Sequence, residues 1–149
     1  FMPIVVIAME KEDYAAWVEE QKGAAVAEAS AADKEWTAEE LIAKGETVYA
    51  NNCASCHMAD GAGMAGTFPA MTNSALVTGD INAQVDLMMK GKGMMPAFGQ
   101  MLSAVDFAAV STFIRNGLGN EVGDSIQPSA IKTLQTSLPA EEEDDEEDE

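Results

Sequence analysis

The segment Cys53-Ala54-Ser55-Cys56-His57 decides how this sequence folds and what it can bind. It holds both cysteines and the single histidine of the 149-residue chain. Two thiols separated by two residues can form a redox-active pair, ligate a metal ion, or bond covalently to a prosthetic group. The residues around the segment decide among these three possibilities.

Covalent attachment of haem is the possibility that the surrounding sequence favours. A thioredoxin-like redox pair needs a strand before the motif, whereas the sequence predicts a helix there. A structural zinc site needs about four ligands, and Cys53, Cys56 and His57 are too few. Cys-x-x-Cys-His is the attachment signature of c-type haem. Thioethers from Cys53 and Cys56 would fix one haem c, with His57 as the proximal iron ligand.

The second axial ligand of the iron cannot be histidine, because His57 is already used. A methionine thioether is the usual alternative, and the chain has 10 methionines. Three of them follow the motif too closely to reach the opposite face, and two fall on a predicted helix. Met94 and Met95 lie in a loop rich in glycine, where Pro96 restricts the residue before it. The sequence favours Met95 as the distal ligand, with Met94 as the rival.

The predicted fold class is all-α. One helix covers about residues 38–50 behind a capping box formed by Thr37 and Glu40. Others cover about residues 82–90 and 104–117. With 47% apolar and only 6% aromatic residues, the core depends on aliphatic side chains and methionine. The loops that connect these helices are longer than such a core would hold unaided. We therefore expect a bulky group in the middle of the fold.

Composition divides the chain into five stretches. In order, we expect a remnant of a separate domain at 1–21, an Ala-rich linker at 22–36, the helical unit at 37–120, an extension at 121–140, and a disordered acidic tail at 141–149. Within the first stretch, Ile4-Val5-Val6-Ile7 predicts a strand and residues 11–21 predict a helix. Because the chain opens on Phe1, we interpret it as a fragment of a longer protein.

The charge balance excludes one class of partner. Against 8 basic residues stand 26 acidic ones, for a net charge of −18. A nucleic-acid partner is not expected, because phosphate binding needs a basic face. The apolar run from Pro3 to Met9 has seven residues, short of the ~20 that span a bilayer. Lys90 and Lys92 flank the predicted distal loop and are interpreted as surface charges rather than docking residues.

Beyond the motif, the chain resembles a class I cytochrome c domain. The residues that carry this resemblance are Cys53-Ala54-Ser55-Cys56-His57, Met95-Pro96-Ala97-Phe98-Gly99 and Ile114-Arg115-Asn116. The resemblance implies that Gly45 and Tyr49 of the first helix cross against Phe113 of the last. It also implies that the carbonyl of Pro69 accepts the imidazole N–H of His57, which would orient the ring.

The two ends resemble subunit II of haem–copper cytochrome c oxidases. Phe1-Met2-Pro3-Ile4-Val5-Val6 is similar to the close of its cupredoxin-like copper domain, where Met2 falls on a ligand of the dinuclear copper centre. Gly123-Asp124-Ser125-Ile126-Gln127-Pro128 is similar to the segment after the fused haem domain in many bacterial members. The other copper ligands are absent from this chain, so copper is expected only in an upstream domain.

These resemblances imply outer-sphere electron transfer rather than catalysis by this chain alone. Electrons would come from a respiratory donor, either a cytochrome c or a quinol-oxidising complex. They would pass to the copper centre of the oxidase, among its other subunits. The site would face the periplasm or the outer side of the bacterial membrane, anchored by upstream segments. The alternatives are a free-standing soluble c-type cytochrome and a haem enzyme or ligand sensor with an open distal site.

Overall fold

The computed structural model describes residues 6–138, and these residues are mostly helical with no sheet. The helices are α1 Lys11–Ala31, α2 Ala38–Asn52, α3 Ala54–His57, α4 Ala75–Thr78, α5 Ile81–Lys90, α6 Ala104–Asn116 and α7 Pro128–Thr136. The all-α prediction is confirmed for this part of the chain. None of these helices is long and apolar enough to cross a membrane. Met2 and the acidic stretch 141–149 lie outside the described residues.

The N-terminal stretch differs from its prediction. Val6 and Ile7 have no regular secondary structure and are largely exposed, while the rest of the predicted strand lies outside the described residues. Helix α1 continues to Ala31 instead of ending near Gln21, and none of its residues is buried. Alanine is the strongest helix former, so the Ala-rich stretch that we expect to be a linker is helical as far as Ala31.

Helices α2 and α6 cross at the centre of the fold. The predicted capping box is confirmed, because Glu40 N donates to Thr37 Oγ1 at 3.2 Å and Thr37 N donates to Glu40 Oε2 at 2.9 Å. Gly45 faces α6 so closely that a Cβ there would lie 2.6 Å from Phe113 Cβ. The rings of Tyr49 and Phe113 are 5.5 Å apart. The predicted crossing of these residues is confirmed.

A buried arginine ties three parts of the chain together. The Arg115 side chain, only 2% exposed, pairs through Nε and Nη2 with the Asp124 carboxylate at 2.6 and 2.7 Å. Its Nη1 and Nη2 also donate to the carbonyls of Val77 and Gly79. The guanidinium therefore fixes both the α4–α5 connection and the segment after α6.

The sequence predicts α6 as the last helix, but the structure contains a further helix, α7. Pro128 begins it, as proline often does at the first helical position, and Ile131 is fully buried. Just before it, Gln127 exchanges two hydrogen bonds of 3.0 Å with the backbone of Trp36. The helix packs on α6 and closes one side of the core.

Candidate haem site

The Cys-x-x-Cys-His segment begins at Cys53, directly after α2, and its remaining residues form the short helix α3. The backbone N–H groups of Cys56 and His57 donate to the Cys53 carbonyl at 3.1 and 2.9 Å. Both cysteines are free thiols; Cys53 is buried and Cys56 is half-buried. Burial, reinforced by the neighbouring Cys56, raises the pKa of Cys53 to about 11. Burial therefore favours the protonated form of the Cys53 thiol at neutral pH.

The imidazole of His57 is oriented by a backbone carbonyl. Its Nδ1 lies 2.9 Å from the carbonyl oxygen of Pro69, the partner that the cytochrome resemblance implies. A carbonyl can only accept, so Nδ1 must carry the proton. This arrangement leaves Nε2 as the nitrogen with a free lone pair, which is the form that binds iron.

Tyr49 forms a hydrogen bond with Met58, the residue that directly follows the motif. Met58 has a left-handed backbone with φ of 64°, a conformation that costs free energy in a non-glycine residue. The Tyr49 hydroxyl donates to the Met58 carbonyl at 2.7 Å. Burial raises the pKa of Tyr49 to about 12, so this hydroxyl stays a donor across the physiological range.

A cavity of about 380 Å³ opens beside the motif. It brings together the candidate attachment residues, Pro69, and both candidate distal methionines. Its lining consists of Asn52, Cys53, Ser55, Cys56, His57, Thr67, Phe68, Pro69, Met71, Leu87, Met88, Lys92, Met94, Met95, Pro96, Phe98, Leu102, Val110 and Ile114. Most of these side chains are apolar, as the face of a porphyrin requires.

The distal loop encloses Met95 more than Met94. Lys92 and Met95 exchange two backbone hydrogen bonds of 3.0 and 3.1 Å, which closes a tight turn. Gly91, at φ +68°, allows this turn, because a Cβ there would lie 2.5 Å from the Met95 carbonyl oxygen. Met95 is half-buried against the core, whereas Met94 is 72% exposed at the turn.

Two buried polar residues behind the cavity were not singled out from the sequence. Gln84 Nε2 and Ser111 Oγ each lie 3.7 Å from the sulfur of Met88, as hydrogen-bond donors to it. Gln84 also donates to the Ser111 carbonyl. The sulfur of Met88 is therefore occupied within the core. The available signal was weak, namely single polar residues on otherwise apolar helix faces.

The two lysines near the distal loop differ in their surroundings. Lys90 forms an ion pair with Asp86 one turn earlier on α5. Lys92 is exposed and lies at the rim of the cavity. An exposed ion pair such as Lys90–Asp86 contributes little to stability. Lys90 therefore fits the prediction of a surface charge.

The residues of this site fit a c-type haem. Cys53, Cys56 and His57 line a mostly apolar cavity. Met94 and Met95 of the distal loop line the same cavity. Among residues 6–138, no group of three or more His, Cys, Asp or Glu side chains forms a site for a bare metal ion. The fold and this donor set define the class of protein as a c-type cytochrome.

Comparison with known proteins gives the family. Residues 40–114, half of the chain, match the family model described as Cytochrome C oxidase, cbb3-type, subunit III. The chain belongs to this family, and its function is electron transfer through a c-type haem. The match ends within α6, so the segment after α6 and helix α7 lie outside the matched residues. The family match does not include the end segments that resemble oxidase subunit II.

Two kinds of relative share the haem domain. The cytochrome c subunit of alcohol dehydrogenase (quinone) from Gluconobacter oxydans is 32% identical over 105 residues, which are 62% of this chain and 22% of that protein. The Cbb3-type cytochrome c oxidase subunit FixP of Azorhizobium caulinodans is 33% identical over 100 residues, or 60% of this chain and 33% of that protein. Cytochrome c6 of Microcystis aeruginosa is 37% identical over 73 residues, or 47% of this chain and 89% of that protein. The chain thus spans a third or less of the larger relatives but most of a small cytochrome.

Proposed function

We propose that Cys53 and Cys56 hold one haem c through two thioether bonds, with His57 as proximal and Met95 as distal iron ligand. The observation that carries this proposal is the cavity that both the motif and the Met95 turn line. Met95 is preferred over Met94 because it is half-buried against the core while Met94 is 72% exposed.

Bound haem would supply an iron that takes up and gives back one electron. The chain's own residues keep the ligands in place during this change. The Pro69 carbonyl holds the His57 ring in one orientation and increases its donor strength. The closed turn from Lys92 to Met95 holds the opposite ligand. Because neither side needs to rearrange, the reorganisation that accompanies each electron transfer is small.

The apolar lining favours electron transfer over chemistry on a substrate. Side chains such as Leu87, Phe98 and Ile114 line the cavity and would keep water away from a bound haem. If His57 and Met95 both bind the iron, a bound haem would have no free ligand position for an oxygen molecule or a substrate. A haem enzyme with an open distal site is the function that this arrangement disfavours.

The attachment is tested by the pyridine haemochrome spectrum of the mature protein and by extraction into acidified organic solvent. Two thioether bonds should keep the pigment with the protein and give the spectrum of haem c. In the double variant Cys53→Ala and Cys56→Ala, the pigment should become extractable. Release of the pigment from the parent protein would refute the attachment.

The distal ligand is tested by two neighbouring variants. Met95→Ala should lose the near-infrared band of thioether-ligated ferric haem and bind carbon monoxide more readily, because the sixth position opens. Met94→Ala is the matched control and should keep the band. If Met94→Ala loses the band and Met95→Ala keeps it, the distal assignment moves to Met94.

We infer further that the chain relays electrons within a larger respiratory assembly. The end segments at 1–6 and 123–128 resemble oxidase subunit II, and two relatives are named as cytochrome subunits of larger enzymes. The relay would run from a cytochrome c or a quinol-oxidising complex to a copper centre in an upstream domain. Such an assembly would place the haem domain at 37–120, with its extension at 121–140, on the periplasmic or outer face of the membrane.

The upstream sequence of the gene tests this second proposal. A Cys-x-x-x-Cys segment and nearby histidines before Phe1 would supply the missing copper ligands. If that region instead holds only a secretion signal, the chain is a free-standing carrier like cytochrome c6. In that case the stretches at 1–21 and 22–36 would be a lead-in rather than a domain remnant and linker.

A further inference from the structure

The loop that carries Met95 is held by a side chain from outside the matched haem domain. After Met95 the loop turns through Phe98 and reaches α6 at residue 104. Gln135 of α7 approaches this turn, and its Nε2 donates to the carbonyls of both Gly99 and Leu102 at 2.8 Å. One amide group therefore satisfies two backbone acceptors that are three residues apart.

The opposite side of the same turn is held by α5. The backbone N–H of Phe98 donates to the Met88 carbonyl at 2.9 Å, and that of Gly99 donates to the Met89 carbonyl at 3.3 Å. Phe98 itself lines the haem cavity. The turn thus lies between two helices. Its N–H groups donate to carbonyls of α5, and its carbonyl groups accept from Gln135 of α7.

Residues other than Gln135 hold helix α7 against the rest of the chain. Ile131 is fully buried, and Lys132 pairs with Asp33 at 2.8 Å. Gln127, at the start of the helix, exchanges two hydrogen bonds with the backbone of Trp36. Because these contacts come from residues that precede Gln135, replacing Gln135 should remove the contacts to the turn without detaching α7.

We propose that Gln135 is a positioning residue that keeps the Met95 sulfur on the iron by bracing the 98–102 turn. This inference rests on the proposed function, since it concerns the loop that supplies the distal ligand. Without Gln135 the two carbonyls lose their shared donor, and Gly99 lies in a buried position where water does not replace it easily. The turn then opens more often, and the sulfur leaves the iron more often.

The test uses the haem-loaded full chain with two substitutions at one position. Gln135→Ala deletes the amide, and Gln135→Glu keeps its size but replaces the donor with acceptor oxygens that face two carbonyls. Both should increase the apparent affinity of the ferric protein for imidazole, by about tenfold for Gln135→Ala on the scale of lost hydrogen bonds, and by more for Gln135→Glu. Amide exchange of Gly99 and Leu102 should accelerate in parallel.

Thr133→Ala is the matched control on the same helix. Its exposed hydroxyl donates only to the Ser129 carbonyl of α7 itself, so imidazole affinity should stay unchanged. Unchanged imidazole affinity and amide exchange in both Gln135 variants would overturn the inference. The Met95→Ala variant distinguishes failure of the distal assignment from failure of the bracing role of Gln135. If it keeps the thioether band, the distal assignment fails; if it loses the band while the Gln135 variants behave as the parent, only the bracing role fails.

Discussion

Gly45→Ala probes the helix crossing on which the haem site is built. A Cβ at this position would lie 2.6 Å from both the Ala109 carbonyl carbon and Phe113 Cβ, and closer still to the Ala109 carbonyl oxygen. Nonbonded carbon atoms settle at about 3.5–4.0 Å. Helices α2 and α6 would therefore have to separate by about 1 Å, which opens the core beside the motif.

Two opposing free energies decide the outcome of this substitution. Alanine in place of glycine favours a helix by about 1 kcal/mol. Forcing an extra methyl group into a packed contact costs about 1–3 kcal/mol. We expect the upper end of that range, because the backbone of Ala109 cannot rotate away as a flexible side chain would. The net loss of about 2 kcal/mol lowers the ratio of folded to unfolded protein by about thirtyfold.

Denaturant unfolding of the haem-loaded protein measures this loss as a lower midpoint at unchanged slope. Gly23→Ala is the matched control, since the Cβ it would add to α1 has no described atom within 4 Å apart from its chain neighbours and the backbone of its own helix. That variant should show only the helix-forming preference of alanine, as a rise in helical circular dichroism. A Gly45→Ala protein as stable as the parent would refute the account of the crossing.

Two further predictions concern the distal loop and the buried arginine. Gly91→Ala places a side chain at φ +68°, 2.5 Å from the Met95 carbonyl oxygen, so the near-infrared thioether band should weaken; an undiminished band would contradict this. Asp124→Ala leaves the Arg115 guanidinium buried without its carboxylate and should lower the free energy of unfolding by about 2 kcal/mol. This loss is smaller than for a fully buried pair, because the Asp124 side chain is 41% exposed. The exposed pair at Asp86 is the comparison, and Asp86→Ala should change unfolding by less than about 0.5 kcal/mol. Equal effects of the two aspartates would show that burial of Arg115 does not matter.

Local signals in the sequence were sufficient for the parts of the fold that depend on neighbours in the chain. Thr37 and Glu40 lie three residues apart, so their capping box could be predicted without a structure. The close approach at Gly45 followed from the cytochrome resemblance, because the partner Phe113 lies on a distant helix. Both outcomes match what the structure shows.

The parts that could not be predicted depend on packing between distant segments. Helix α7 carries few apolar residues, and its position becomes evident only when Ile131 is seen to be buried. The contact of Gln135 with Gly99 joins residues 36 positions apart. Pro96 favours Met95 over Met94 at the level of sequence, but the different enclosure of the two side chains appears only once the turn is folded.

The guanidinium of Arg115 sets a lower limit on the length of a recombinant haem domain. Its carboxylate partner comes from position 124, ten residues beyond the end of the family match at 114. A clone that keeps Arg115 but ends before Asp124 would have to bury a cation without its counter-charge, which is strongly unfavourable. The folded unit therefore extends past residue 114, where the family match ends. A recombinant haem domain should include α7.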